Sequence, residues 1–184
     1  MEQANRLLLV CVETNSKSKT DVFYINKILQ TIYVIDNETK IDYVYLDGKH
    51  KYKNKTVLDS IRKKSKNFAN IHIIYCIDTD DIFTNPKHIA LNEEISQYCA
   101  VNNYDLVWFC RNVEEVFLGK IIKDKDKVKE AKKFGALKEI DNSIIKSLDA
   151  TIQAKRKSNL MLVFNNYFKK IMGCEKYEKE NKEK

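Results

Sequence analysis

One proline and four glycines are all that this 184-residue chain carries of either residue. That scarcity, with no Ser-rich stretch to replace them, excludes a flexible linker or hinge between domains. It also excludes a Walker A loop, which needs glycines to bring backbone N–H groups against phosphate. The five cysteines, Cys11, Cys76, Cys99, Cys110 and Cys174, are odd in number and include no CxxC pair. A zinc site and a disulfide frame are therefore not indicated. Cys11, Cys76 and Cys110 fall in apolar runs and read as small buried hydrophobes in a reducing compartment. No apolar stretch approaches the roughly 20 residues needed to span a bilayer. The segment Met1–Arg6 is too short and too weakly basic for a signal peptide. The expectation is a soluble, cytoplasmic protein with no membrane partner.

What is abundant is charge. Lys and Arg total 33 against 26 Asp and Glu, so the net charge is +7 and an anionic partner is favoured, nucleic acid first. A generally Lys-rich composition explains the same excess without any partner. Hydrophobic residues make up 43%, enough for a substantial core at this length.

Short apolar runs alternate with helical patterns. Leu7–Val12, Ile41–Leu46, Ile71–Ile77 and Tyr104–Cys110 read as strands, the first and third of them as short apolar runs rich in Val, Ile and Leu. Between them, 20–33 and 57–68 carry helical spacing, and Asn85-Pro86 opens a third helix reaching about Asn102. This alternation predicts right-handed βαβ units and an α/β fold, a parallel sheet of about four strands flanked by helices. Beyond Cys110 the pattern becomes helical. A short helix spans 112–118, and Lys120–Lys133, with seven lysines and three acids, suits an exposed helix or loop. Asp141 caps a helix with Ile144, Ile145, Leu148 and Ile152 as its stripe, and Leu160–Met172 forms another. The expected organisation is an α/β domain over 1–119, a basic segment and helical extension over 120–173 on the same core, and a disordered tail over 174–184.

Two of the apolar runs end in acid. The first closes on Glu13, and the third on Asp78-Thr79-Asp80-Asp81. In an open parallel sheet, ligands sit at the carboxyl ends of the strands. Carboxylates gathered there repel one another unless something positive lies between them, and a divalent cation is the usual answer. Alternation puts Asp78 and Asp80 on one side of an extended chain. The competing reading of the Asp cluster is a turn or helix cap. The segment Thr14–Thr20 is small, polar and basic, and Lys17 and Lys19 could meet a phosphate at the start of the following helix.

An apolar strand ending in Glu, followed by an apolar strand ending in Asp-x-Asp, resembles the Toprim family. The order, Leu7–Glu13 first and Ile71–Asp80 second, matches that family and not the haloacid-dehalogenase-type phosphatases. The stretch 8–29 is most similar to compact bacterial Toprim proteins of the RloB and OLD-nuclease type, and 104–119 is similar to their next strand and helix, so the likeness covers about 7–119. The resemblance implies a Toprim-like, Rossmann-like sheet and a metal-dependent nuclease. Glu13 would be the catalytic carboxylate. Asp78, Asp80, Asp81 and Glu115 (or its neighbour Glu114) would bind Mg2+ or Mn2+, with Arg111 and Asn112 contacting substrate. It further implies DNA or RNA as substrate, an anti-phage defence setting with an ATPase partner, and a homodimer as one arrangement. Thr14 stands where the family commonly has Gly, and Asn112-Val113-Glu114-Glu115 lacks the family's usual Pro. Those departures favour the alternative, a catalytically silent nucleic-acid-binding or regulatory module. A small-molecule phosphohydrolase is a third reading.

Lys49–Lys55 together with Arg62–Lys66, including Lys63 and Lys64, forms one basic region; Lys120–Lys133 forms another. Both are candidates for a nucleic-acid backbone, with Tyr52 placed to stack on a base. The bland reading of each is a solvated face.

Overall fold

Four parallel strands run through the centre of the computed structural model, which describes residues 5–171. They are β1 (Arg6–Val12), β3 (Thr39–Tyr45), β4 (Asn70–Asp78) and β5 (Asp105–Phe109), in the spatial order β3-β1-β4-β5. A short β2 (Tyr33–Val34) lies outside this sheet. The helices are α1 (Thr20–Ile32), α2 (Lys55–Ser65), α3 (Pro86–Val101), α4 (Val113–Leu118), α5 (Asp124–Gly135), α6 (Asn142–Ser147) and α7 (Leu160–Phe164), followed by β6 (Lys169–Lys170). Among the described residues no helix is long and apolar enough to cross a membrane.

The apolar runs are continuous because the sheet is covered on both faces, so every side chain of Leu7–Val12 is buried whichever way it points. Strand parity divides them into two cores. Leu8, Val10, Val12, Ile74, Cys76, Val107 and Phe109 face α1 and α4–α7. Leu7, Leu9, Cys11, Ile73, Tyr75 and Ile77 face α2 and α3. Each fully buried aliphatic side chain contributes about 1.5–3 kcal/mol of transfer free energy. Register aligns the strand ends: Val12 lies opposite Tyr45 on one side and Cys76 on the other.

The chain leaves β1 for β3 on one side and passes over to β4 on the other. The switch point of the topology is therefore the crevice between the carboxyl ends of β1 and β4. Glu13 and Asp78 flank that crevice.

The four strands and the first three helices agree with the sequence reading, and two caps act as expected. Asn85 accepts from Lys87 N–H at 3.1 Å, with Pro86 at the first position of α3. Asp141 accepts from Ser143 N–H at 2.7 Å. Four expectations are corrected. The helix read over Leu160–Met172 ends at Phe164; a turn through Asn165 and Asn166 then seats Phe168 on Tyr33, 5.8 Å between ring centroids. Asn165 also accepts the Tyr33 hydroxyl at 2.9 Å, and β6 pairs antiparallel with β2. Two consecutive asparagines favour that turn over another helical turn. The helix after Asp141 stops at Ser147, so Ile152 lies outside it and is exposed. The basic segment forms α5, and Ala131 and Phe134 bury one face of it against α1 and α4. Tyr52 is buried with its hydroxyl donating to Glu94 at 2.7 Å, so it presents no stacking face. The expected tail over 174–184, Cys174 included, lies outside the described residues.

Candidate functional site

At the carboxyl edge of the sheet, the loops after β1 and β3 meet at the switch point. Gly48 donates its N–H to the Glu13 carbonyl at 2.9 Å, which folds the turn after β3 over the end of β1. Its φ is +104°, and a Cβ there would lie 2.7 Å from the His50 ring, so only glycine suits. Lys19, Asp47, Asp80 and Arg111 also hold positive φ, between +53° and +66°, in loops on this edge. Left-handed backbone at non-glycine residues costs free energy, and four of the six such residues among those described lie in these loops.

Glu13 and Asp78 are joined directly: Glu13 Oε2 accepts from the Asp78 N–H at 3.1 Å. Asp78 Oδ1 accepts from the Val113 N–H at 2.9 Å, at the start of α4. Asp21, in the first turn of α1, accepts from Thr14 N–H and from the Thr20 hydroxyl, each at 3.1 Å. Glu114 is buried in α4 and faces Lys127 of α5 at 3.9 Å. Glu13, Asp21, Asp78 and Glu114 line one pocket of about 370 Å³, with Thr14, Asn15, Asp47 and Lys127 completing the wall.

Loss of solvation is the main reason these carboxyls are raised above the usual carboxylate range. It pushes Glu13 up to about 7; the Asp80 and Asp21 charges add to this, while Lys49 and the Asp78 N–H oppose it. Asp78 is raised well above the carboxylate range by burial, then by Glu13, Asp21, Glu114 and Asp80. Asp21 and Glu114 are raised for the same first cause, and Lys127 draws Glu114 partly back. An acid tuned close to neutrality is the kind that can take and return a proton.

A second cation, besides Lys127 of the wall, stands beside the pocket. The Lys49 ammonium, almost wholly buried, donates to the Asp78 carbonyl at 2.6 Å and pairs with Asp80 Oδ2 at 2.7 Å. The expected need for positive charge between the acids is thus met in part by the chain itself. For a divalent ion the donor chemistry fits: the acidic groups of the wall offer hard carboxylate oxygens, and their mutual repulsion is what a cation relieves. Among the described residues, however, no three His, Cys, Asp or Glu side chains converge as a ready-made metal cage.

The other residues singled out by the sequence separate into two groups. Lys17 and Lys19 are on the loop after β1, at the edge where Glu13 lies. Asn15 organises that loop by accepting from Lys17 and Ser18 N–H at 2.9 and 3.0 Å, so those donors are committed internally. Asp81 turns into its own loop, accepting from the Thr84 hydroxyl at 2.5 Å, and its N–H donates to His88 Nδ1. Asn112 caps α4, accepting from Glu115 N–H at 2.8 Å while its amide donates to Glu115 Oε1 at 3.2 Å, a reciprocal cap. Arg111 Nε lies 3.7 Å from the same Glu115 oxygen. Glu115 therefore serves the cap, and Glu114 takes the place at the pocket. Lys63 and Lys64 close α2, whose last turn leads into the amino end of β4, so they belong to the opposite edge of the sheet. Lys64 pairs there with Asp42 at 2.8 Å.

Sequence reasoning missed Lys49 as a buried partner, along with Asp21, Glu114 as first choice, and Lys127. Asp21 had a signal: with Tyr24, Ile25 and Ile28 it forms an i, i+3, i+4, i+7 inward stripe. Lys49 and Lys127 had none, because each sits in a lysine-rich run that is mostly exposed.

Comparison with protein-family models, with curated proteins and with solved structures found no match.

Proposed function

We propose that the protein is a divalent-cation-dependent nuclease of Toprim type that hydrolyses phosphodiester bonds in DNA or RNA. The observation that carries this reading is the Glu13–Asp78 pair, bonded at 3.1 Å across the topological switch point with both carboxyls half-buried and raised. Glu13 and Asp78 would offer oxygens to Mg2+ or Mn2+, with Asp21 and Glu114 adding negative charge on the same pocket wall. When bound, such an ion neutralises phosphate charge and lowers the pKa of water. The chain's own part is proton transfer and positioning. Glu13, as the carboxylate, would accept the proton of the attacking water as the water oxygen bonds to phosphorus and the P–O bond to the leaving nucleotide breaks. Lys49 holds the Asp78–Asp80 turn in place. Lys17 and Lys19 supply ammonium groups for the backbone of the substrate.

One observation favours a second reading. Lys49, the Val113 N–H and the Thr14 N–H already satisfy Asp80, Asp78 and Asp21, as a catalytically silent nucleic-acid-binding module would require. Incubating wild type and Glu13→Gln with mixed DNA and RNA, with and without Mg2+ or Mn2+, separates the two. Cleavage that needs metal and is lost in the variant supports the nuclease. Cleavage that persists in the variant or without metal overturns it. Binding without any cleavage favours the silent module.

A further inference from the structure

The carboxyl end of β5 carries two basic turns that the acidic pocket does not use. Ser158 bridges antiparallel to Phe109, and the Cys110 N–H donates to the Lys157 carbonyl at 2.9 Å. Those contacts dock the segment 154–158 onto the end of the strand. One residue beyond the bonded pair, each chain turns: Arg111 and Arg156 hold φ of +66° and +62°. The Lys157 N–H closes the second turn on the Ala154 carbonyl at 3.0 Å. On its other side, the Arg111 carbonyl accepts from the Asp80 N–H at 2.8 Å, and the Arg111 N–H donates to the Thr79 hydroxyl at 3.0 Å. Backbone bonds therefore tie both basic turns to the same sheet edge as the Asp78–Asp80 turn.

Arginine is scarce here, four residues against 29 lysines. Arg6 and Arg62 are taken by Asp36 and Asp59, at 3.1 and 3.0 Å. Arg111 has only Glu115, at 3.7 Å, and its side chain is 41% exposed. Lys155 and Arg156 are exposed, and among the described residues no side-chain partner takes either. Uncommitted cations fixed at one edge repel one another and gain from an anion between them. A guanidinium offers a planar fork of N–H donors that fits phosphate oxygens. Neighbouring strands lie about 4.8 Å apart, so these turns stand about 5–10 Å along the edge from Asp78. A nucleic-acid strand advances about 3.4 Å per nucleotide, which sets their phosphate partners about one to three nucleotides from the one over the acidic pocket. Lys17 and Lys19 lie on the loop after β1, so cations flank the acids from both sides.

We propose that Lys155 and Arg156, with Arg111, form a phosphate-binding element that grips the nucleic-acid backbone beside the position of cleavage. The contacts are to phosphate, so they position the strand without reading its sequence. The segment 154–158 lies beyond residues 7–119, where the Toprim likeness runs, so that likeness assigns it nothing. The proposal rests on the nuclease reading for what lies next to the element. Its own measurement is independent, because backbone binding needs neither metal nor cleavage.

Fluorescence anisotropy of labelled oligothymidylate and oligouridylate, titrated with the full chain in EDTA across a salt series, tests it. The double variant Lys155→Gln/Arg156→Gln is expected to bind both roughly 10–30-fold more weakly at 0.1 M salt and to lower the salt slope by about 1.4, about 0.7 for each of two phosphates. Arg111→Gln is expected to lower the slope by about 0.7. Arg62→Gln/Lys63→Gln, the same change of charge at the opposite edge, is expected to leave binding as in wild type. Inorganic phosphate is expected to displace the oligonucleotides no better than chloride at equal ionic strength. No binding by wild type, undiminished binding in the 155/156 variant, equal weakening in the 62/63 variant, or displacement specific to inorganic phosphate overturns the proposal. Metal-dependent cleavage of the same oligonucleotides, measured separately, decides the nuclease reading: cleavage with undiminished binding in the 155/156 variant sinks the element alone, and weakened binding without cleavage sinks the nuclease alone.

Discussion

Lys49 Nζ lies 2.7 Å from Asp80 Oδ2 while donating to the carbonyl of Asp78 at 2.6 Å. One ammonium therefore clamps both ends of the Asp78–Asp80 turn, and it is delivered by the loop after β3, on the far side of β1 from β4. Replacing Lys49 by Met removes the donor of a buried carbonyl and the counter-charge of a carboxylate together. The expected cost is about 1–3 kcal/mol, towards the lower end because Asp80 is partly exposed. Urea unfolding checks it; an unchanged midpoint would show that the clamp has no structural role.

The raised pKa of Glu13 sets a pH dependence whose sign is fixed. Its folded value, about 7, lies above an unfolded value near 4.5, so the folded state binds the proton more tightly. The associated stability is complete below pH 4.5 and is lost as pH rises through 7. Wild type is thus expected to melt at lower temperature at pH 8 than at pH 5.5. Glu13→Gln, which cannot ionise, should flatten that slope and be the more stable protein at pH 8. Parallel melting curves for the two proteins would exclude Glu13 as the titrating group.

If Mg2+ or Mn2+ occupies the acidic pocket, it binds folded chain and stabilises it by mass action, by about 2.7 kcal/mol at a hundred times Kd. Thermal melts with and without metal at pH 8 should show the gain in wild type and none in Glu13→Gln or Asp78→Asn. A shift of the same size in all three would place the cation elsewhere.

The basic residues divide by their edge of the sheet. Charge reversal at Lys17 and Lys19 is expected to weaken nucleic-acid binding and to reduce the salt slope by about 0.7–0.9 for each phosphate no longer neutralised. Reversal at Lys63 and Lys64 is expected to do neither, because they stand at the edge opposite Glu13. Filter-binding titrations across a salt series measure both, and an equal weakening for the two pairs would contradict the assignment.

Phe134 ties α5 to the sheet domain, with ring centroids 5.0 Å from Tyr24 and 5.2 Å from Phe117. Truncation to Ala is expected to cost about 3–5 kcal/mol within a single unfolding transition. An earlier, separate transition would show that the segment beyond residue 119 folds on its own.

The two central strands, β1 and β4, were legible because they are buried on both faces and appear as long apolar runs, while the edge strands β3 and β5 were read from shorter, interrupted ones. The acids at the ends of the first and third runs were legible because charge cannot continue inside such a run. Harder to read were the lysines. Lys49, buried against Asp80, and Lys63, exposed at the far edge, sit in runs of similar composition, and a run of lysines does not reveal which member is drawn inward. The helix read past Phe164 failed for a related reason: Phe168 is apolar whether it continues a helix stripe or turns back onto Tyr33.

By itself the sequence determined the α/β alternation, the carboxyl-edge position of Glu13 and Asp78, and the absence of glycine-dependent phosphate loops. Those are local properties, set by side-chain periodicity and backbone freedom. Only the tertiary structure decided that β1 and β4 are neighbours, with Glu13 bonded to the Asp78 N–H and Lys49 folded in beside them. Strand order depends on how helices pack across two faces of a sheet, and that long-range choice leaves no mark in any single segment of the chain.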